Sequence, residues 1–386
     1  MTPLKPRITG KERIAVLKQQ AKDQVSGKAL MTMPITTIPK LNNFMGGMQR
    51  GLAIGITADT NVGKTPLVKT LVYSAYKASK LNPTLKFKAM FFALEESEET
   101  FIDSIILTMY YEKYNKFLDR HMMLSVSKHN APQEMWDQID SLTPDIEDFL
   151  SNVRVIDYIY NPHEIFHICY ERIQKLGKMV DNKFVYHDPK IHYFCVVDNL
   201  NLFRTVDLKE KHGLMEIWAA QYSIGELCKQ YRWTTISVLQ QALDSNKEQY
   251  SRGARIVTKL EPTLNGLGNN REVARHFHVM LGLFAPSFFE GVESYHKHTL
   301  ADFPEHTFRT ILILKNREGR PRAWIDAVLL KNTCLFVQLP NPNDPEYEIV
   351  KHKILAKLNE TDTTTPPTGQ VDTTFPPVDD DDVNAF

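Results

Sequence analysis

The run Ala58-Asp59-Thr60-Asn61-Val62-Gly63-Lys64-Thr65 places a four-residue spacer before Gly-Lys-Thr, directly after the apolar stretch LAIGIT and before a helical pattern. In such a loop successive backbone N–H groups curl around phosphates, and the helix N-terminus adds positive potential. Lys64 would neutralise β and γ oxygens and the Thr65 hydroxyl would ligate Mg²⁺. Ala58 stands where the usual pattern has glycine, but its small side chain still lets the turn form. Pro66 suits a first helical turn, where no N–H partner is needed. All eight residues are therefore candidates for binding a nucleotide, ATP with Mg²⁺.

Two other apolar runs end in acids. Cys195-Val196-Val197-Asp198 delivers a carboxylate at a strand end, the usual source of an acid that reaches the Mg²⁺ shell. By itself this is weak, because aspartate commonly opens turns; beside a phosphate loop it gains weight. Phe91-Phe92-Ala93-Leu94-Glu95-Glu96 ends in two carboxylates, roughly thirty residues after Lys64.

These groups need a frame. From about residue 51 short apolar runs (GLAIGIT, KAMFFAL, NVRVIDY, HYFCVVD, TTISVL) alternate with helical stretches at 65–80, 98–118, 162–180 and 214–231. That alternation predicts an α/β core with a mostly parallel, buried central sheet. After residue 275 the runs FHVMLGLF, FRTILILK, RAWIDAVLL and CLFVQL follow without a long helix between them, so C-terminal antiparallel strands are expected. Before the core, residues 11–28 carry Ile14, Leu17, Ala21 and Val25 at helical spacing on a charged background, a thin stripe suited to its own domain or to a neighbouring subunit.

The chain has 386 residues, 42% of them hydrophobic, enough for a large core. Lys+Arg and Asp+Glu number 46 each, but six acids lie in 361–386, which has no base; residues 1–360 carry 46 bases against 40 acids. A mildly basic body and an acidic tail suggest partners of opposite charge. The four cysteines form no CxxC pair, there is no apolar run of about eighteen residues, and the polar start lacks a signal-peptide core. A cytoplasmic protein with no membrane association is expected.

In order along the chain, these segments resemble DnaB-type replicative helicases with a RecA-like P-loop NTPase core. The resemblance covers roughly 30–340: ITTIPKLNNFMGGMQRG precedes the phosphate loop, FFALE follows it, then NVRVIDYIYNPHEIF, VVDNLNLFR, SVLQQ and Lys315-Asn316-Arg317. It implies a general-base role for Glu95, with Glu96 the less favoured neighbour, and a metal-shell role for Asp198. It implies γ-phosphate sensing by Gln241, with Gln240 the alternative, and a Lys-x-Arg pair, Lys315 and Arg317, reaching into the adjacent subunit's nucleotide site. The family's N-terminal primase-engaging domain has no counterpart in the first thirty residues. The 11–28 helix becomes a linker helix that packs on a neighbour.

Residues 242–276 are long and polar and match the position of the family's pore loops. Candidate DNA contacts are Arg252, Arg255, Lys259, Asn269, Asn270 and Arg271, whose cations and small or amide residues suit backbone tracking along single-stranded DNA. The expected organisation is an N-terminal arm with linker helix at 1–30, a RecA-like ATPase/helicase domain at 31–355, and a disordered acidic tail at 356–386. The expected function is an ATP-dependent, phage-like replicative helicase, a homo-oligomer forming a hexameric ring on single-stranded DNA. A recombinase filament ATPase and a KaiC-like regulatory ATPase are the alternatives. The tail, with Asp379 to Asp382 and a final Phe386, is expected to dock a replicative DNA polymerase or another replisome protein.

Overall fold

The computed structural model describes residues 9–25, 32–118, 120–124, 132–181, 183–204, 211–241, 250–251, 254–255, 257–317, 319, 321–330 and 332–359. Its centre is a nine-stranded sheet. In chain order the strands are β1 (Ala53–Ala58), β2 (Lys86–Ala93), β3 (Val153–Ile156), β4 (Ile191–Asp198), β5 (Thr234–Gln240), β6 (Val279–Phe284), β7 (Phe308–Asn316), β8 (Trp324–Leu329) and β9 (Phe336–Gln338). The spatial order is β9-β8-β7-β6-β1-β5-β4-β2-β3. Every residue of β1 and β6 is buried, which is why these segments read as continuous apolar runs.

The sheet is mixed, but its change of direction falls one strand later than the sequence suggests. β6 pairs parallel with β1, Val279 opposite Ile54, and antiparallel with β7 on its other edge. Six strands are thus parallel, and β7 to β9 complete the sheet as a meander. All the parallel strands present their C-terminal ends to one side, where the loops that carry chemistry gather.

Several helices differ in extent from their sequence signals. Helix α1 (Gly10–Val25) opens on a reciprocal capping pair, with Thr9 N–H donating to Glu12 Oε2 at 2.8 Å and Glu12 N–H to Thr9 Oγ1 at 3.2 Å. Its Ile14 and Leu17 are 55% and 46% exposed, so the stripe is not buried against its own domain. Helix α2 (Lys64–Leu81) sits on the sheet through Leu67, Val68, Leu71 and Val72. Helix α3 (Glu98–Tyr114) starts at Ser97, whose side chain accepts from Thr100 N–H, and stops short of 118 because Asn115 turns left-handed, φ 54°.

Helix α4 (Pro162–Gln174) ends before 180: Gly177–Val180 pairs instead with Lys183–Tyr186 as a hairpin. A Cβ at Gly177 would lie 2.2 Å from the Val185 carbonyl oxygen, so only glycine fits there. The helix at Lys211–Glu216 continues as π-helical turns through Ile217–Gln230, burying Trp218 on the opposite face of the sheet from α2. A short helix, α5 (Arg271–His276), leads into β6. The last helix, α6 (Tyr347–Asn359), crosses the expected domain end at 355; Ile354 and Leu358 are buried one turn apart, so the folded body runs to 359. Residues 360–386, including Asp379 to Asp382 and Phe386, lie outside the described residues.

The four cysteines are buried free thiols. Among the described residues no helix is long and apolar enough to cross a membrane.

Candidate nucleotide site

The phosphate loop joins β1 to α2. Gly63 caps the helix with φ 107°, and a Cβ there would meet Leu329 at 3.1 Å, so this glycine answers both a left-handed backbone and a close approach. Asn61 is also left-handed, φ 60°. Ala58 is the last residue of β1 and fully buried, a strand position that an alanine occupies without strain.

Lys64 lies over the loop, its ammonium donating to the carbonyls of Ala58 at 3.2 Å and Asp59 at 2.5 Å. Burial lowers its pKa, opposed by the nearby carboxylates of Glu95, Asp198 and Asp59. Arg309, which the sequence did not single out, braces the loop from β7. Its Nε donates to the Val62 carbonyl at 2.6 Å while its guanidinium lies 4.9 Å from the Phe288 ring centre. Burial pulls its pKa down to about 10. Beside the loop a cavity of about 210 Å³ is lined by Asp59, Thr60, Val62, Pro262, Phe288 and Phe289.

Asp198 ends β4 in register with Ala93 of β2, so the two acidic strand ends lie side by side. It is 2% exposed, and burial raises its pKa to about 7 against the lowering effect of a hydrogen bond from Thr65, with Glu95 and Glu96 adding to the rise. Its Oδ1 is buried without a hydrogen-bond partner. An unpartnered carboxylate oxygen beside a threonine hydroxyl is a donor set that fits a hard divalent cation such as Mg²⁺.

The two glutamates separate cleanly. Glu96 is tied to Lys69, Nζ to Oε1 2.8 Å, and Lys69 also donates to Ser104. Glu95 faces the site, where its Oε1 accepts from the side-chain amides of Asn199 and Gln240, the latter at 3.3 Å. Asn199 in turn accepts from Asn201 N–H at 2.8 Å, and the Asn201 side chain accepts from Gln240 N–H at 2.9 Å. Asn199 and Asn201 were legible only as polar residues after the VVD strand.

Gln241, expected to sense the γ-phosphate, lies just past the end of β5. It is buried, donating to Thr57 Oγ1 at 2.9 Å and to the Thr263 carbonyl at 3.3 Å. Gln240, the alternative, is the one that meets Glu95.

Lys315 and Arg317 lie at the opposite end of the sheet from this chain's own phosphate loop, since Asn316 pairs with Val279, which is level with Ile54 at the start of β1. Both rest on the C-terminal end of α5: Lys315 Nζ donates to Arg275 O at 2.5 Å and Ala274 O at 3.3 Å, and Arg317 to Arg275 O at 2.9 Å. Of the DNA candidates, Lys259, on the segment between β5 and α5, and Arg271, the first residue of α5, are exposed. Asn269 and Asn270 belong to a 3-10 stretch leading into α5, and Arg255 to a two-residue strand paired with Tyr250–Ser251; the side chains of all three lie outside the described residues, as does the whole of Arg252.

A phosphate loop after the first of these parallel strands, with acids ending two of the others, defines a RecA-like P-loop ATPase fold. In particular, the fold is that of DnaB-like helicase motor domains. The structure is similar to the ATPase domain of a phage DnaB-like helicase, with TM-score 0.63 and 14% identity over 86% of this chain and 100% of that one. It is also similar to a DnaB-like replicative helicase whose structure and interactions with primase are described, with TM-score 0.60 and 14% identity over 87% of this chain and 68% of that one. No family model matches the sequence, and no curated protein matches it.

Proposed function

We propose that the chain is an ATP-dependent DNA helicase motor that assembles into a ring, hexameric by the family resemblance, and moves along single-stranded DNA as it hydrolyses ATP. The observation that carries the reading is the Glu95 carboxylate, held by two amides on one oxygen beside Lys64, Thr65 and the unpartnered Asp198 oxygen.

In this reading the loop N–H groups and Lys64 bind the ATP phosphates, while Glu95, its Oε2 left for the purpose, orients water and takes its proton. Thr65 and Asp198 would hold Mg²⁺, which neutralises charge on the phosphate oxygens. Lys315 and Arg317 act at the neighbour's phosphate loop, and the exposed stripe of α1 packs on a second copy. Lys259 and Arg271, with Arg252, Arg255, Asn269 and Asn270, contact the strand backbone. The acidic segment 379–386 is assigned to docking of a replicative DNA polymerase or another replisome protein.

The reading is tested with a forked duplex and with particle images in ATP and single-stranded DNA. ATP-dependent unwinding by closed rings is expected. An open filament that exchanges strands, or an ATPase indifferent to DNA, overturns it.

A further inference from the structure

Away from the phosphate loop, a cavity of about 620 Å³ opens between the start of β8, the hairpin Ser294–Tyr295/His298–Thr299 and the helix Pro39–Met45. Its walls include Lys40, Phe44, His296, Lys297, Arg322 and Trp324. Trp324 is five residues before Leu329, the side chain nearest Gly63, so the cavity lies about 16 Å along the strand from the phosphate loop.

Three properties distinguish it from an ordinary crevice. First, it offers an aromatic platform: Trp324 is 54% exposed, and the His296 ring lies 4.8 Å from it, tilted by 31°. Second, its charge is positive. Among the described residues none of Lys40, Lys297 and Arg322 is paired with a carboxylate. Among the described residues the one acid on its wall, Asp326, is engaged beneath the surface by His296 at 2.9 Å, by the Thr310 hydroxyl at 2.7 Å and by His298 at 3.3 Å.

Third, three of its residues hold left-handed backbones that non-glycine residues adopt only when their surroundings impose them: His296 with φ 49°, Lys297 with φ 70° and Arg322 with φ 55°. His296 and Lys297 form a two-residue hairpin loop, a place where Asn-Gly is the favoured pair. The loop is pinned from both sides, by Asp326 on His296 and by Asn343 on Lys297 at 3.2 Å. His298 below is anchored to the Tyr347 hydroxyl at 2.7 Å. Strain is thus concentrated in residues that supply the ring and two of the cations.

We infer that this cavity is a second ligand site, and that it takes a nucleobase together with its attached phosphate. The base stacks on Trp324 and His296, and the phosphate is met by Lys297, Arg322 and Lys40. Nothing in this site performs chemistry, and no acid faces the ligand to activate water. A free nucleotide and a segment of single-stranded DNA share this chemistry.

The test uses the full chain carrying Lys64→Ala, which silences the phosphate loop, and follows tryptophan fluorescence. Trp218 and Trp233 are buried and Trp136 is partly buried, leaving Trp324 the most exposed. Titration with AMP in one arm and an eight-nucleotide oligo(dA) in the other should give saturable quenching that Trp324→Phe removes. Arg322→Ala should weaken binding at least about tenfold, as loss of a charge-assisted contact predicts, while leaving the circular dichroism spectrum unchanged. Equilibrium dialysis of labelled AMP or oligonucleotide reports the same loss without relying on the indole. Quenching by AMP assigns the site to free nucleotide, and quenching by oligo(dA) alone assigns it to DNA. Quenching by neither, quenching unaltered by both Arg322→Ala and Lys297→Ala, or quenching only by an acidic aromatic peptide overturns the inference.

Discussion

The Lys315 ammonium donates to the Arg275 carbonyl at 2.5 Å, which binds one member of the Lys-x-Arg pair to the C-terminal end of α5. Burial, with Arg317 adjacent, lowers the Lys315 pKa to about 8. Because α5 begins at Arg271, the last of the candidate DNA contacts, those contacts and the pair are joined by a single helix of six residues. A shift of the contacts on a DNA strand would therefore be felt at Lys315 and Arg317 without any intervening loop.

That relationship gives a test of the shared site. Arg317→Ala should fold and bind nucleotide yet lose about 10³-fold in ATPase rate, the usual contribution of an arginine supplied in trans. Mixing Arg317→Ala with Lys64→Ala subunits creates some interfaces with both groups intact, so ATPase should partly return. Absence of recovery, once mixed assemblies are verified, would count against a site shared between subunits.

Lys64→Ala and Glu95→Gln should fail in different ways. The first removes the ammonium that meets the phosphates and should lose nucleotide binding with hydrolysis. The second keeps a side chain that Asn199 and Gln240 can still hold, so it should bind ATP while hydrolysing it about 10²- to 10⁴-fold more slowly. A wild-type rate in Glu95→Gln would remove Glu95 from the base role.

The adjacent glutamines give the next prediction. Gln240→Ala should lower kcat with little change in KM, because Gln240 meets Glu95. Gln241→Ala should act on stability instead, costing about 1–3 kcal/mol, because it removes the buried partner of Thr57 and breaks a link to Thr263. Thermal melts and steady-state kinetics on both variants decide it: loss of hydrolysis confined to Gln241→Ala at unchanged melting temperature would assign γ-phosphate sensing to Gln241 rather than Gln240.

The glutamine pair illustrates what a linear sequence can and cannot carry. The phosphate loop was legible because its eight residues are contiguous and the loop folds by its own backbone. The acids Glu95 and Asp198 were legible because parallel strands bring their C-terminal ends together, whatever lies between them. Neighbouring side chains at a strand end point opposite ways, so choosing between Gln240 and Gln241 required knowing where the strand stops. The bond from Asn199 to Glu95 spans more than a hundred residues, and Arg309 reaches the loop from the antiparallel part of the sheet. The break in α4 depended on a carbonyl contact at Gly177 that no local periodicity records. The crossing of 355 by α6 rests on Ile354 and Leu358 finding a surface formed much earlier in the chain.

Asp198 supplies a prediction in which function and stability oppose each other. Burial raises its pKa from an ordinary value near 3.8 to about 7 in the folded chain without a cation. Between these values the unfolded chain has released the proton and the folded chain still holds it. This group's contribution to stability is therefore greatest below about pH 4, declines through the interval, and is fully lost above about pH 7. Asp198→Asn abolishes the titration, so the stability of the variant relative to wild type should rise with pH across that window. The ceiling is about 4 kcal/mol, from roughly 1.4 kcal/mol per pKa unit. Added Mg²⁺ with nucleotide should reverse the order by stabilising the wild-type carboxylate and not the amide, while the variant loses Mg²⁺-dependent hydrolysis. Denaturant melts of both proteins at pH 5, 6, 7 and 8, with and without Mg²⁺-nucleotide, measure the two effects together. A difference that stays flat from pH 5 to 8 would mean that Asp198 is already ionised in the folded chain and that burial does not raise its affinity for protons.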